Sequence, residues 1–190
     1  MRKLILMTAM IVLTGMASTA QVFEKGSQAI NLNIGFGNTG SFGSYYSGFL
    51  PSASASYEYG IVEIPMGSDL TGVISAGGYL GWSMSKYGYD SWGNDDYYLT
   101  TNFIIAVRGN YHFIFHDKFD PYAGIILGGN IEASKWKGDG ADPDIDYAET
   151  TPFGGAYAGA RWYFTDNFAV NAEVGWLISV LNVGVTFKLK

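Results

Sequence analysis

Apolar residues recur at every second position along most of this chain. Near its end they are Phe168, Val170, Ala172, Val174, Trp176 and Ile178, with Ala169, Asn171, Glu173, Gly175, Leu177 and Ser179 between them. The pattern then repeats, with Leu181, Val183, Val185, Phe187 and Leu189 set against Asn182, Gly184, Thr186 and Lys188. A period of two marks a strand whose faces meet different surroundings. Runs of about ten residues also suit a tilted strand that crosses a bilayer. Six further segments alternate likewise, over about 30–36, 52–59, 73–85, 101–113, 121–133 and 156–164. The pattern predicts an all-β fold, an eight-stranded antiparallel up-and-down transmembrane β-barrel.

A soluble barrel also alternates, but its polar face meets water and carries many charges, commonly about a quarter to a third of the surface. Here charged residues are 15% of the chain, and the polar faces are mostly Gly, Ser, Asn and Thr. That composition suits a narrow interior, with the apolar face turned to lipid. Tyr59, Phe113, Trp162, Phe164, Phe168 and Phe187 fall at one end of their strands, and Phe36, Trp82 and Trp176 near the other. Two such bands are the aromatic girdles of a membrane barrel.

The connections alternate in length. Asn38 to Phe49, Lys86 to Tyr98 and Lys135 to Pro152 are long and polar. Gly60 to Leu70, His116 to Asp120 and Thr165 to Asn167 are shorter. Outer-membrane barrels place long loops outside and short turns in the periplasm. The segment Leu177 to Val180 is tight and departs from the rule.

Residues 1–20 read as a cleaved signal peptide: basic Arg2 and Lys3, an apolar run from Leu4 to Leu13, then Ser18-Thr19-Ala20. The run is too short to span a bilayer as a helix. The barrel domain is then 21–190, with the bacterial outer membrane as its expected location. Without Arg2 and Lys3, nine basic residues face 17 acids, a net charge of −8. That balance gives no footprint for nucleic acid. The absence of cysteine excludes disulfides, thiolate metal sites and a thiol nucleophile.

Asp120-Pro121-Tyr122-Ala123-Gly124, the stretch Gly159 through Phe168, and the C-terminal run carry a resemblance. The chain resembles the small outer-membrane β-barrel superfamily that includes the OmpA membrane domain, OmpX, OmpW and opacity-like proteins. The resemblance covers about Gln28 to the end. It implies that Asn182, Gly184, Phe187 and Leu189 form an assembly signal read by the barrel-assembly machinery, with periplasmic chaperones as earlier partners. Lys190 departs from the aromatic ending usual in the family. The superfamily shares an architecture and not one activity.

Chemical motifs are sparse. Gly35-Phe36-Gly37-Asn38-Thr39-Gly40 matches a dinucleotide fingerprint, but no helix follows to receive a pyrophosphate. Asp142, Asp144 and Asp146 open like a calcium loop, yet Tyr147 and Phe153 stand where Gly and Glu are needed. A solvated acidic loop is the reading, with loose divalent-ion binding the alternative. His112 and His116 fall at the periplasmic end as interfacial residues, and no serine–base–acid trio is evident. No catalytic, cofactor or metal residue is assigned, and the chain is not read as an enzyme.

Two functions remain. The first is a structural or surface-recognition barrel whose loops carry Tyr45, Tyr46, Tyr89, Trp92, Tyr97, Trp136 and Tyr147, a contact-surface composition. An extracellular ligand would then be a partner, beside the membrane lipids. The second is a narrow channel, or a conduit for small apolar molecules. Inward-pointing Tyr79, Tyr122, Tyr157 and Tyr163 favour a filled interior. Glu58, Arg108, Arg161, Glu173 and Lys188 should form a lumen charge network, with Arg108 and Arg161 bridging Glu173 and Glu58.

Overall fold

The computed structural model describes residues 23–38, 51–66, 71–88, 97–137 and 147–189. Eight strands follow one another: β1 Gln28–Asn38, β2 Ser52–Pro65, β3 Thr71–Gly88, β4 Tyr97–Ile114, β5 Phe119–Lys137, β6 Tyr147–Tyr163, β7 Phe168–Gly175 and β8 Ser179–Lys188. Each pairs antiparallel with the next, and β1 pairs with β8 to close the barrel. The closing register sets Ala29 opposite Lys188 and Leu32 opposite Val185. Glycine allows that seam to close: a Cβ on Gly184 would lie 2.0 Å from the Leu32 carbonyl oxygen.

The barrel is inverted relative to a soluble one. Val107 is 66% exposed and Leu127 60%, whereas Glu58 and Arg161 are fully buried inside. An outside without polar groups is what hydrocarbon tolerates, and closure leaves no strand edge within it. Phe115, Phe119 and Trp162 make ring contacts around one rim, as do Phe164, Phe168 and Phe187. Phe36, Trp82, Phe103 and Trp176 stand exposed toward the opposite end.

Several strands outrun the expected segments. β2 continues past Gly60 to Pro65, with a register shift between Gly60 and Val62. β3 and β4 pair out to Gly88 and Tyr97, and β5 and β6 pair out to Ser134 and Tyr147. β7 and β8 stop much lower, at Gly175 and Ser179. One side of the wall therefore stands taller than the other. Polar sequence misleads here, because strands beyond lipid no longer need an apolar face.

The turn after β7 corrects another expectation. Ile178 is buried and not lipid-facing, because Leu177 and Ile178 fold inward between β7 and β8. Gly175 takes φ +148°, Trp176 N donates to the Ala156 carbonyl at 2.9 Å, and Ile178 N donates to Tyr79 Oη at 3.3 Å. Trp176 stays exposed while Leu177 and Ile178 enter the interior.

Candidate functional site

Strict alternation places Glu58 of β2, Arg108 and His112 of β4, Asp120 of β5, Arg161 of β6 and Glu173 of β7 inside the barrel. All are buried. Arg108 Nη2 donates to Glu173 Oε1 at 2.6 Å and lies 3.2 Å from Glu58 Oε1. Arg161 Nη2 lies 2.7 Å from Glu58 Oε2, an ion contact whose angle falls short of a hydrogen bond. Arg161 Nη1 donates to Asp120 Oδ2 at 3.1 Å. β2 and β6 are diametrically opposed among eight strands, so the Glu58–Arg161 contact crosses the full bore.

Neutral groups complete the layer. Asn31 donates to Glu58 Oε1 at 3.0 Å, and Tyr122 Oη donates to Glu173 Oε1 at 2.7 Å. Thr186 donates to Asn31, and Asn171 donates to Thr186, which brings β1, β7 and β8 into one network. Tyr157 Oη donates to Asn110 Oδ1. The guanidiniums of Arg108 and Arg161 lie over the rings of Tyr157 and Tyr122, 4.6 and 4.7 Å from the centroids. Buried charges held this way are costly to break singly.

The layers on either side are apolar. Toward the outer end, Tyr79, Ile104, Ile126, Leu177 and Ile178 pack together with Tyr122 and Tyr157. Toward the opposite end, Phe23 is buried against Ala29 and Val73. The Phe23 ring stacks on His112 at 4.4 Å, and the Arg161 guanidinium lies 5.4 Å from its centroid. Backbone hydrogen bonds from Gly26 to Gly60 and from Gly60 to Ser27 hold this N-terminal strap against β2.

Two expectations about histidine change. His112 is fully buried and not an interfacial turn residue, whereas His116 is exposed beside Trp162. A serine–base–acid row does exist: Ser75 Oγ lies 3.0 Å from His112 Nε2, and His112 Nδ1 lies 2.8 Å from Asp120 Oδ1. These are nucleophile–base–orienter distances. However, Ser75 is buried, Asn110 also donates to its oxygen, and Phe23 covers the imidazole. The row reads as a structural tie across β3, β4 and β5.

The structure brings four of the five expected network charges together and adds Asp120 and His112. Lys188 points inward below them, within electrostatic range of Glu24, Asp166 and Asp120. Of the residues expected to form an assembly signal, Asn182 is buried while Phe187 and Leu189 are exposed outward. Tyr45, Tyr46, Tyr89 and Trp92 lie outside the described residues. Tyr97 and Trp136 belong to strands and not loops, and Tyr147 begins β6. Trp136 makes an edge contact with Tyr98 at 4.8 Å.

No protein-family model matches the chain, and no curated protein does. Among solved structures, the chain is similar to a designed transmembrane β-barrel, with 14% identity over 88% of this chain and 98% of that one, TM-score 0.47. It is similar to the N-terminal β-barrel domain of Pseudomonas aeruginosa OprF, with 14% identity over 87% and 98%, TM-score 0.45. It is also similar to Ail, the attachment invasion locus protein of Yersinia pestis, with 14% identity over 86% and 95%, TM-score 0.42.

Proposed function

We propose that the chain is a bacterial outer-membrane barrel, exported by residues 1–20, that works as a closed post presenting its outer end to the surroundings. The observation that carries this reading is the Glu58–Arg161 contact between opposed walls. With Phe23 below it and the Tyr79–Ile126–Ile178 layer above, it favours a non-conducting interior over a channel. The taller β3–β6 side supports a surface-facing role, because strands that leave the lipid present rigid side chains to whatever lies outside. The covered Ser75–His112–Asp120 row supports a non-enzymatic role. The assembly machinery and periplasmic chaperones are partners in biogenesis on this reading, and the distal loops are the place for an extracellular ligand.

Planar-bilayer recording tests it. Purified protein inserted from detergent should give no discrete conductance steps across a physiological salt range. Stable ohmic steps from the wild-type barrel would replace the post with a pore.

A further inference from the structure

The outer half of the lipid-facing wall holds an apolar groove of about 620 Å³, over β8, β1, β2 and β3. Its floor is made by the small outward residues Ala53 and Ala55, and its sides include Leu32, Leu80, Trp82 and Phe103. The volume lies within the roughly 300–1,000 Å³ typical of small-molecule sites. Beyond its β3 side, toward the outer ends of β3 and β5, stands a cluster of positive charge. Lys86 shares the outward face of β3 with Trp82, four residues nearer the outer end. Its cross-strand partner Leu99 pairs on the other side with Lys135, and Tyr97 pairs with Lys137. All three lysines are exposed, and Lys86 Nζ lies 4.8 Å from the Tyr97 ring centroid.

This placement is selective. Of the eight basic residues among those described, Arg108 and Arg161 lie in the lumen layer, and Lys25, Lys118 and Lys188 belong to the periplasmic end. The remaining three all sit on one outward face. The described acids nearby, Glu132 and Glu149, pair with each other on the opposite, inner-facing register. Four residues of strand rise about 13 Å along its axis, or about 10 Å in height at the usual tilt. Lysine stems reaching back toward the membrane then put their ammonium groups at headgroup depth.

We propose that this groove and the Lys86–Lys135–Lys137 patch form one seat for a phosphate-bearing lipid of the outer leaflet, its chain in the groove and its phosphate on the lysines. The proposal rests on the membrane reading above. An occupant from the membrane is favoured over a soluble anion because the groove is continuous with the lipid-facing belt. Its lining is mainly apolar, and the lysines stand outside it, the nearest along the chain four residues beyond Trp82 on β3.

The test uses the full barrel reconstituted in vesicles of phosphatidylcholine with a minor share of phosphatidylglycerol, then released for native mass spectrometry. Wild-type protein should retain phosphatidylglycerol in preference to phosphatidylcholine. Lys86→Gln, Lys135→Gln and Lys137→Gln should each reduce that preference about fivefold, the equivalent of about 1 kcal/mol per lysine. Ala55→Phe, which fills the groove, should reduce retention of both lipids. Inorganic phosphate added to vesicles of phosphatidylcholine alone should leave no adduct. Equal retention by the lysine variants overturns the proposal, as does a phosphate adduct as abundant as the lipid one. Protease protection in phosphatidylcholine vesicles separates the two readings. Inserted barrels without a lipid preference sink the seat alone, whereas barrels that never insert sink the membrane reading with it.

Discussion

Glu58 has the most demanding position in the molecule. Both guanidiniums and the Asn31 amide converge on its two oxygens, so its loss takes one partner from each at once, leaving Arg108 on Glu173 and Arg161 on Asp120. Glu58→Ala should lower stability by about 1–3 kcal/mol, the cost of leaving buried donors without their acceptor. Denaturant unfolding of the refolded barrel in micelles measures it, and a loss well under about 1 kcal/mol would mean that water fills the layer. The Glu58, Arg108, Arg161 and Glu173 positions were legible because each sits on the polar face of a clean alternation. Asp120 is obscured in the sequence because it closes the polar His116–Asp120 turn, although stepping back two from inward Tyr122 reaches it. Ile104 and Ile126 were hidden by apolar neighbours, since Ile104-Ile105 and Ile125-Ile126-Leu127 blur which residue faces in. Phe23 precedes the first strand, where no period exists to mark it.

Among elements, the strand walls make the sharpest prediction about sidedness. Leu127→Arg or Val174→Arg puts a cation on the lipid face and should cost about 2–4 kcal/mol near mid-depth. Asn171→Ala, inside the lumen, should cost clearly less. The folded and unfolded bands on an unheated gel after vesicle insertion compare them, and equal band ratios would reverse the inside–outside assignment. A second prediction concerns the seam between β8 and β1. Gly184→Ala would press a methyl group against the Leu32 carbonyl and the Asn33 backbone, so it should slow closure and lower the folded fraction in the same assay. Gly78→Ala, which meets nothing within 4 Å, is its control. The alternation located all eight strands, but it ends where lipid ends. The outer extensions of β3 to β6 carry residues such as Thr150 and Glu149, whose polarity reads as loop although their backbones pair as strand.

At the scale of the whole molecule, processing and closure are linked. The membrane form should begin at Gln21, which N-terminal sequencing of outer-membrane fractions checks; intact Met1 there would overturn the export argument. Phe23 would then lie two residues from the new terminus, tucked beneath His112 and Arg161. The seam matters in time as well as in space. Ala29 meets Lys188, so the first strand waits for the last, and such distant partners make a slow final step. Until then every intermediate is a sheet with two raw edges that hydrocarbon will not accept. A chain interrupted before β8 therefore has no stable half-product to accumulate in the bilayer. The ring shape acts as proofreading, admitting to the membrane only molecules whose translation reached the eighth strand.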